Sequence, residues 1–415
     1  MTKKNVYSFI DLFAGAGGLS EGFLASGFES VAHVEMDSSA CKTLKTRESY
    51  YYLRKTGSLD VYYNYLKQKM DSEEFYSYIP DEVLGTVFCQ TMSEESMPEL
   101  FTLIDNSMKK KRISKIDVIL GGPPCQAYSV AGRARKDMED DPRNTLYKLY
   151  FQVLDRYKPS VFVFENVPGL NTAGNGEHFD NIKAGFEQRG YEVEHRILKA
   201  SDYGVLQKRK RIIMIGWKQN SDYHYPEMKP VEQKYTLSEL FKDLPPLEPG
   251  DENNKYRQGA IPAYLKDYSL RRAKEPLTWH VARTNIERDR EIYRLVIKAW
   301  NTKHERLKYT SLPPELMTHN NRTSFLDRFK VVAADEKESQ TMVAHISKDG
   351  HYYIHPDIDQ ARSISVREAA RIQSFPDNYF FEGSRTDVFK QIGNAVPPLL
   401  SRAIAKDLLS QLKEH

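Results

Sequence analysis

Short apolar blocks recur through the first 217 positions, each closed by glycine, proline or charge and separated by stretches of helical period. Residues 7–13 read as a strand, followed by a glycine-rich turn, a helix from about 19 to 26 and a second strand over 29–34. Further strand-like runs occupy 116–120, 160–164, 191–198 and 211–217, with helices expected over 143–157 and 179–189. This order predicts an α/β fold built on a doubly wound, mostly parallel sheet.

The alternation fails in two places. Between about 46 and 115 the chain turns charged and rich in tyrosine, including Tyr50-Tyr51-Tyr52 and Tyr62-Tyr63, which suggests a helical insertion riding on the sheet. From 223 to 360 it dissolves into proline-rich and basic segments, the mark of a second, smaller and less regular domain. Helical period returns at 366–373 and 399–412, so 361–415 is expected to rejoin the first domain, 1–222.

Composition narrows the classes. No apolar run approaches the roughly 18 residues of a membrane helix, and the N-terminal residues lack the apolar core of an export signal. Three cysteines, Cys41, Cys89 and Cys125, form no metal-type pair and suit a reducing, cytoplasmic setting, and no metal is expected. A net charge of +3 does not establish nucleic-acid binding; of the basic clusters at 109–112, 208–211 and Arg271-Arg272, the first reads as a solvated face. The 26 tyrosines hint at stacking surfaces or at ordinary core.

The chemistry concentrates at predicted strand ends. Gly121-Gly122 stops the strand 116–120, and Pro123-Pro124 stiffens the loop that carries Cys125 and Gln126. Open α/β sheets bind ligands outside the carboxyl ends of their strands, so this thiol is placed to act as a nucleophile. Glu165 closes the apolar strand Val161-Phe162-Val163-Phe164 at the same edge, one crossover later. The loop Phe13-Ala14-Gly15-Ala16-Gly17-Gly18, with Glu35 about twenty residues on, suits a nucleoside cofactor, although it departs from the strict dinucleotide pattern. In Lys208-Arg209-Lys210-Arg211, side-chain alternation should turn at least one arginine inward.

These motifs, together with Arg367-Glu368-Ala369-Ala370-Arg371 and Gln391-Ile392-Gly393-Asn394-Ala395-Val396-Pro397-Pro398, resemble the DNA cytosine-5 methyltransferase family of bacterial restriction-modification systems, in the family's order. The resemblance implies a Rossmann-like methyltransferase fold, a smaller target-recognition domain over 223–360, S-adenosyl-L-methionine as methyl donor, and a cytosine flipped out of duplex DNA. By position it makes Cys125 the nucleophile and sets Glu165, Arg209 and Arg211 on the base. Phe13, Ala14, Gly15, Gly17, Gly18, Glu35, Met36, Pro124, Leu146, Asn394, Ala395 and Val396 would surround the cofactor. Arg367 and Arg371 would organise the interface between domains. The acid that relatives place after the third strand, on the adenine amino group, has no clear match: Asp60 fits by type, the stretch near Thr91 by position.

The same resemblance implies a monomer and functional pairing with a restriction endonuclease. Three rival readings are the same chemistry on RNA, a catalytically silent DNA-binding protein, and an amino-methyltransferase. The long middle region favours duplex DNA, the intact Cys125 and Glu165 favour catalysis, and Pro-Pro-Cys replaces the motif amino-methyltransferases carry. Within 223–360, Arg283, Asn285, Asn320, Asn321, Arg322 and Thr323 are the plausible base contacts.

Overall fold

The computed structural model describes residues 6–124 and 145–414, apart from the side chains of 172–175. The chain divides into two compact units: 1–203, 210–231 and 395–415 form the first, and 204–209 with 232–394 form the second.

The first unit is built on seven strands: β1 (Ser8–Leu12), β2 (Glu29–Glu35), β3 (Val87–Cys89), β4 (Val118–Gly121), β5 (Val161–Asn166), β6 (Tyr191–Lys199) and β7 (Lys210–Lys218), in the spatial order β3-β2-β1-β4-β5-β7-β6. β1 to β5 pair in parallel, whereas β7 runs antiparallel to both β5 and β6. The central strands β1 and β4 are buried along their whole length, which is why they read as unbroken apolar runs rather than alternating ones. The chain runs from β1 outward to β3, then returns to β4 on β1's other side. The switch point therefore lies between β1 and β4, with the loops after both strands flanking it. Because β7 is reversed, its first residues lie at the edge where β5 ends.

Helices α1 (Gly18–Ser26), α2 (Ser38–Thr56), α3 (Leu59–Leu66), α4 (Ser72–Ser77), α5 (Asp81–Leu84), α6 (Met97–Lys111), α7 (Tyr147–Tyr157) and α8 (Glu177–Glu187) connect these strands. The tyrosine-rich insertion is α2 to α5. Tyr50, Tyr62 and Phe75 are buried there, and Tyr65 stacks on Phe75 with ring centroids 4.3 Å apart. Much of the aromatic excess is thus core. The sequence shows no separate strand at 87–89, because three residues are too short to display a period.

The second unit contains α9 (Ala263–Asp267), α10 (Glu287–Lys303), α11 (Val366–Ile372) and α12 (Arg385–Asn394), and its described residues pair only through isolated bridges. One of its cores gathers Tyr293, Trp300, Tyr309, Phe329 and Val331. Buried ion pairs supply much of the remaining order. Arg362 is bidentate on Glu368 at 2.8 Å, and Arg371 joins Asp377 (2.6 Å) to Asp243 (2.7 Å). Arg367 donates to the Thr278, Pro376 and Tyr379 carbonyls. These partners of Arg367 and Arg371 belong to the second unit itself.

The last helix, α13 (Pro398–Glu414), returns to the first unit and lies against α1. A methyl group on Gly22 would sit 2.3 Å from Arg402 N, so only glycine lets the two backbones approach this closely. Among the described residues no helix is long and apolar enough to cross a membrane.

Candidate active site

The carboxyl edge of the sheet carries two groups of residues. On the β1–β2 side, the loop 13–17 bends through left-handed backbone at Phe13 (φ 56°), Gly15 (φ 54°) and Gly17 (φ 76°) before α1 begins. Glu35, at the end of β2, binds this loop directly: its Oε2 accepts from Gly15 N at 2.7 Å, while Oε1 accepts from Met36 N (2.9 Å) and Asp37 N (2.8 Å). The space that a Gly15 side chain would fill is open. Met36 beside it is 66% exposed, and Ala395 and Val396 return against Gly18, where an added methyl would meet Val396 O at 2.3 Å.

Gln90 follows β3, its amide N–H bonded to Glu35 O at 2.9 Å and its side-chain Nε2 buried without a partner. The position after the third strand is therefore filled by a neutral amide, and Asp60 lies on α3 instead. An acidic acceptor at Glu35, open space over Gly15 and an unsatisfied amide at Gln90 together suit a polar nucleoside. A buried donor left alone is costly, so a ligand that engages it is favoured.

Asp11 and His33 are register partners on β1 and β2, 4.0 Å apart, and His33 also bonds Glu48 at 2.8 Å. Burial raises Asp11 to about 6, against a downward pull from His33. Burial also pushes Glu48 up, but the hydrogen bond and charge of His33 outweigh it and leave Glu48 below its usual range.

On the β4–β5 side, Glu165 emerges from β5 and pairs with Arg211 at the start of β7, Nε to Oε1 at 2.6 Å. Burial draws the Arg211 guanidinium down from its usual range, and the Glu165 carboxylate opposes that pull. The other oxygen, Oε2, lies where a Gly122 side chain would be, 2.5 Å from the position of the missing methyl. Asn166 donates from Nδ2 to Pro123 O at 3.2 Å, tying the loop after β4 to the end of β5. Tyr150 braces both strands by donating to Ile119 O (3.0 Å) and Val163 O (3.3 Å). Strands lie about 4.8 Å apart, and Glu35 and Glu165 end strands three steps apart in the sheet, about 14 Å.

The structure thus brings Glu165 and Arg211 together, and it gathers Phe13, Ala14, Gly15, Gly17, Gly18, Glu35 and Met36 on one edge with Ala395 and Val396. Pro124 is exposed at the last described residue of its loop, and Leu146 packs partly buried against the sheet's core at the start of α7. Cys125 and Gln126 lie outside the described residues. Arg209 and Asn394 belong to the second unit. There Arg209 is fully buried, and its guanidinium donates to Met342 O (2.5 Å), Gly393 O (3.3 Å) and Asn394 O (3.3 Å). Sequence reasoning gave Asn166 no role of its own and reached only the stretch near Thr91, next to Gln90. Asn166 acts on a backbone carbonyl, which leaves no trace in residue types, and Gln90 was obscured because an acid was expected.

A switch-point site on a mostly parallel seven-stranded sheet, with a glycine loop after β1 and an acid after β2, defines an α/β fold suited to a nucleoside cofactor. In fold the chain is similar to a DNA modification methyltransferase encoded within an Escherichia coli prophage (TM-score 0.63, 22% identity, 98% of this chain and 99% of that one). It also resembles the Entamoeba histolytica methyltransferase EhMeth (TM-score 0.55, 14% identity, 99% of both chains).

A model of the C-5 cytosine-specific DNA methylases matches residues 7–101 and 99–410, and the chain belongs to that family. It is 41% identical to the type II methyltransferase M.Bpa9945I of Bacillus paralicheniformis, over 98% of this chain and 99% of that one. It is 28% identical to M1.HphI of Haemophilus parahaemolyticus, over 97% and 86%. The protein is an S-adenosyl-methionine-dependent DNA (cytosine-5) methyltransferase.

Proposed function

We propose that the chain methylates carbon 5 of a flipped-out cytosine within a specific duplex sequence, through a transient bond to Cys125. The observation that carries this reading is the Glu165–Arg211 pair, whose second carboxylate oxygen lies over Gly122, three residues before Cys125. Arg211 engages Oε1 and leaves Oε2 to hold a proton shared with ring nitrogen 3 of the base. That hydrogen bond withdraws electrons from the ring and eases addition of the Cys125 thiolate to carbon 6. Addition makes carbon 5 nucleophilic. It takes the methyl group, a base then removes the carbon-5 proton, and the Cys125 sulfur leaves with its bonding electrons. Extrusion from the stack costs roughly a few kcal/mol, and duplex contacts must supply it.

S-adenosyl-L-methionine, when bound, supplies an electrophilic methyl group. Glu35 would accept its ribose hydroxyls and Gln90 would meet its adenine edge. The glycine loop 13–18, Met36, Pro124, Leu146, Ala395 and Val396 would complete its walls. Within the second unit, Arg209 would fix the carbonyls of Met342, Gly393 and Asn394. The second unit would read base edges while phosphate contacts position the duplex. The biological setting would be a cytoplasmic monomer protecting DNA beside a restriction endonuclease. Similarity over nearly the whole length of a type II methyltransferase supports that setting.

Bisulfite sequencing of DNA from cells expressing the chain should show one methylated sequence. A duplex carrying 5-fluorocytosine at that position should then trap a covalent complex, because fluorine blocks the elimination. Cys125→Ala should form no complex and no product while still binding the duplex. Product from that variant would rule out the nucleophile, and transfer to transfer RNA in place of duplex DNA would rule out the substrate.

A further inference from the structure

The polar residues that the sequence marks as base contacts in the second unit are unequally available. Arg283 spends its guanidinium on the carbonyls of Lys348 (2.7 Å) and Ile346 (2.6 Å). Asn285 accepts from Ser363 N and donates to the Tyr293 hydroxyl, each at 3.4 Å. The Asn321 side-chain Oδ1 accepts from Thr323 N (3.1 Å) and Ser324 N (2.9 Å). These three groups serve the fold.

What the loop of Asn321 holds outward is an apolar ring. Phe325 is 69% exposed, more than any other large hydrophobic side chain among the described residues. Its backbone is left-handed (φ 54°), a conformation that bulky residues adopt only when their surroundings impose it, and such strain gathers at functional positions. The surroundings here are specific. Arg328 donates to Phe325 O (3.0 Å), Asn321 O (2.9 Å) and Ser324 O (3.2 Å), and its guanidinium lies 4.0 Å over the buried ring of Tyr309. The loop is thereby clamped to a hydrophobic core, with Phe325 at its tip. Arg322, three residues earlier, is exposed and adds positive charge to the same loop.

Resting on the reading that this chain acts on duplex DNA, we propose that Phe325 inserts against a base step of the duplex and stacks on a base face, with Arg322 on the adjacent phosphates. Aromatic rings stack on any base, and apolar wedges from DNA-binding proteins enter unstacked steps. A preformed, clamped loop loses little freedom on doing so. The loop's positive charge complements the phosphate backbone, which a protein partner would not offer. Stacking adds affinity without counterion release, whereas a phosphate contact adds it through release.

The test uses the full chain and a duplex of about 30 base pairs, long enough to span an interface of this class, containing its mapped site. Phe325→Ala is expected to raise the dissociation constant at least about tenfold with an unchanged salt slope. Arg322→Ala is expected to reduce that slope by about one. Phe325→Trp should bind like the parent, and its added fluorescence should be quenched by the duplex. Phe325→Leu should behave like the alanine variant. Because the ring touches solvent, these changes should leave thermal stability within about 2 °C. Unquenched indole fluorescence of the Phe325→Trp variant at saturating duplex, or parental affinity in the alanine variant, overturns the stacking role while parental methylation stands. A parent that methylates no duplex overturns both readings.

Discussion

Arg211 Nε stands 2.6 Å from Glu165 Oε1, and the pairing depends on β7 running against the rest of the sheet. A parallel β7 would carry its first residues to the opposite edge. Reversal alone puts a cation from a strand start beside a carboxylate from a strand end. Glu165→Gln keeps the shape but cannot hand over a proton, and general acid catalysis is worth about 10²–10⁴-fold. The expected result is a fall of that size in single-turnover methylation, with duplex affinity within about threefold of the parent. Arg211→Ala should fall similarly, because it leaves the carboxylate unoriented. Parental rates in either variant would remove the pair from the chemistry.

Gly122 offers a separate probe of the same geometry. A methyl there would clash with the far end of the Glu165 side chain, at 2.5 Å, while Glu165 O (3.4 Å) and Cβ (3.7 Å) stay at ordinary contact, and that end can swing away without disturbing the backbone. Gly122→Ala should therefore unfold within about 2 °C of the parent, consistent with an absence of core damage, yet lose at least about tenfold in methylation rate. If stability falls and the rate per folded molecule is unchanged, the carboxylate is not held where the structure puts it.

Gln90 should act on the cofactor alone. Removing a buried group that pairs with a ligand costs roughly 1–3 kcal/mol. Gln90→Ala is thus expected to weaken S-adenosyl-methionine binding by about ten- to hundredfold in calorimetry, with duplex affinity unchanged. Unaltered cofactor binding would leave the Gln90 amide without a ligand.

Asp11 carries a cost that depends on pH. With its folded value raised from 3.8 to about 6, the folded chain keeps a proton that the unfolded chain releases between those limits. The proton's contribution is complete below about pH 4 and is lost as pH rises through 6. Above that, a buried carboxylate stands ionised at a cost of about 3 kcal/mol. Asp11→Asn should therefore be more stable than the parent at about pH 7.5 and equal to it near pH 4, by denaturant midpoints. Parallel pH profiles would show that Asp11 is not perturbed. A gain in stability with lost activity would mark Asp11 as kept for function.

The sheet was legible where burial leaves a composition signal. Val161 to Phe164 is buried throughout and could hardly be anything else, and the glycine loop after residue 12 announced the first crossover. Direction and length were not legible. Nothing in 210–218 says that the strand runs backwards, since the hydrogen bonds that decide it come from β5 and β6. Alternation predicted an inward arginine in Lys208 to Arg211 but could not separate Arg211, which finds a carboxylate, from Arg209, which finds three carbonyls far along the chain. The roles of Asn166 and Gly122 were not legible, for a related reason. Their roles are set by a backbone oxygen and by the volume of a distant side chain, neither of which is encoded nearby.

The glycine face of α1 has a consequence for how the molecule comes into being. α1 is made before the surface that covers it, because Ser401 and Arg402 on α13 follow it far along the chain. A nascent or truncated chain lacking α13 holds its ligand loop on a helix with one flank bare to water. A chain cut short before α13 is therefore expected to be inert.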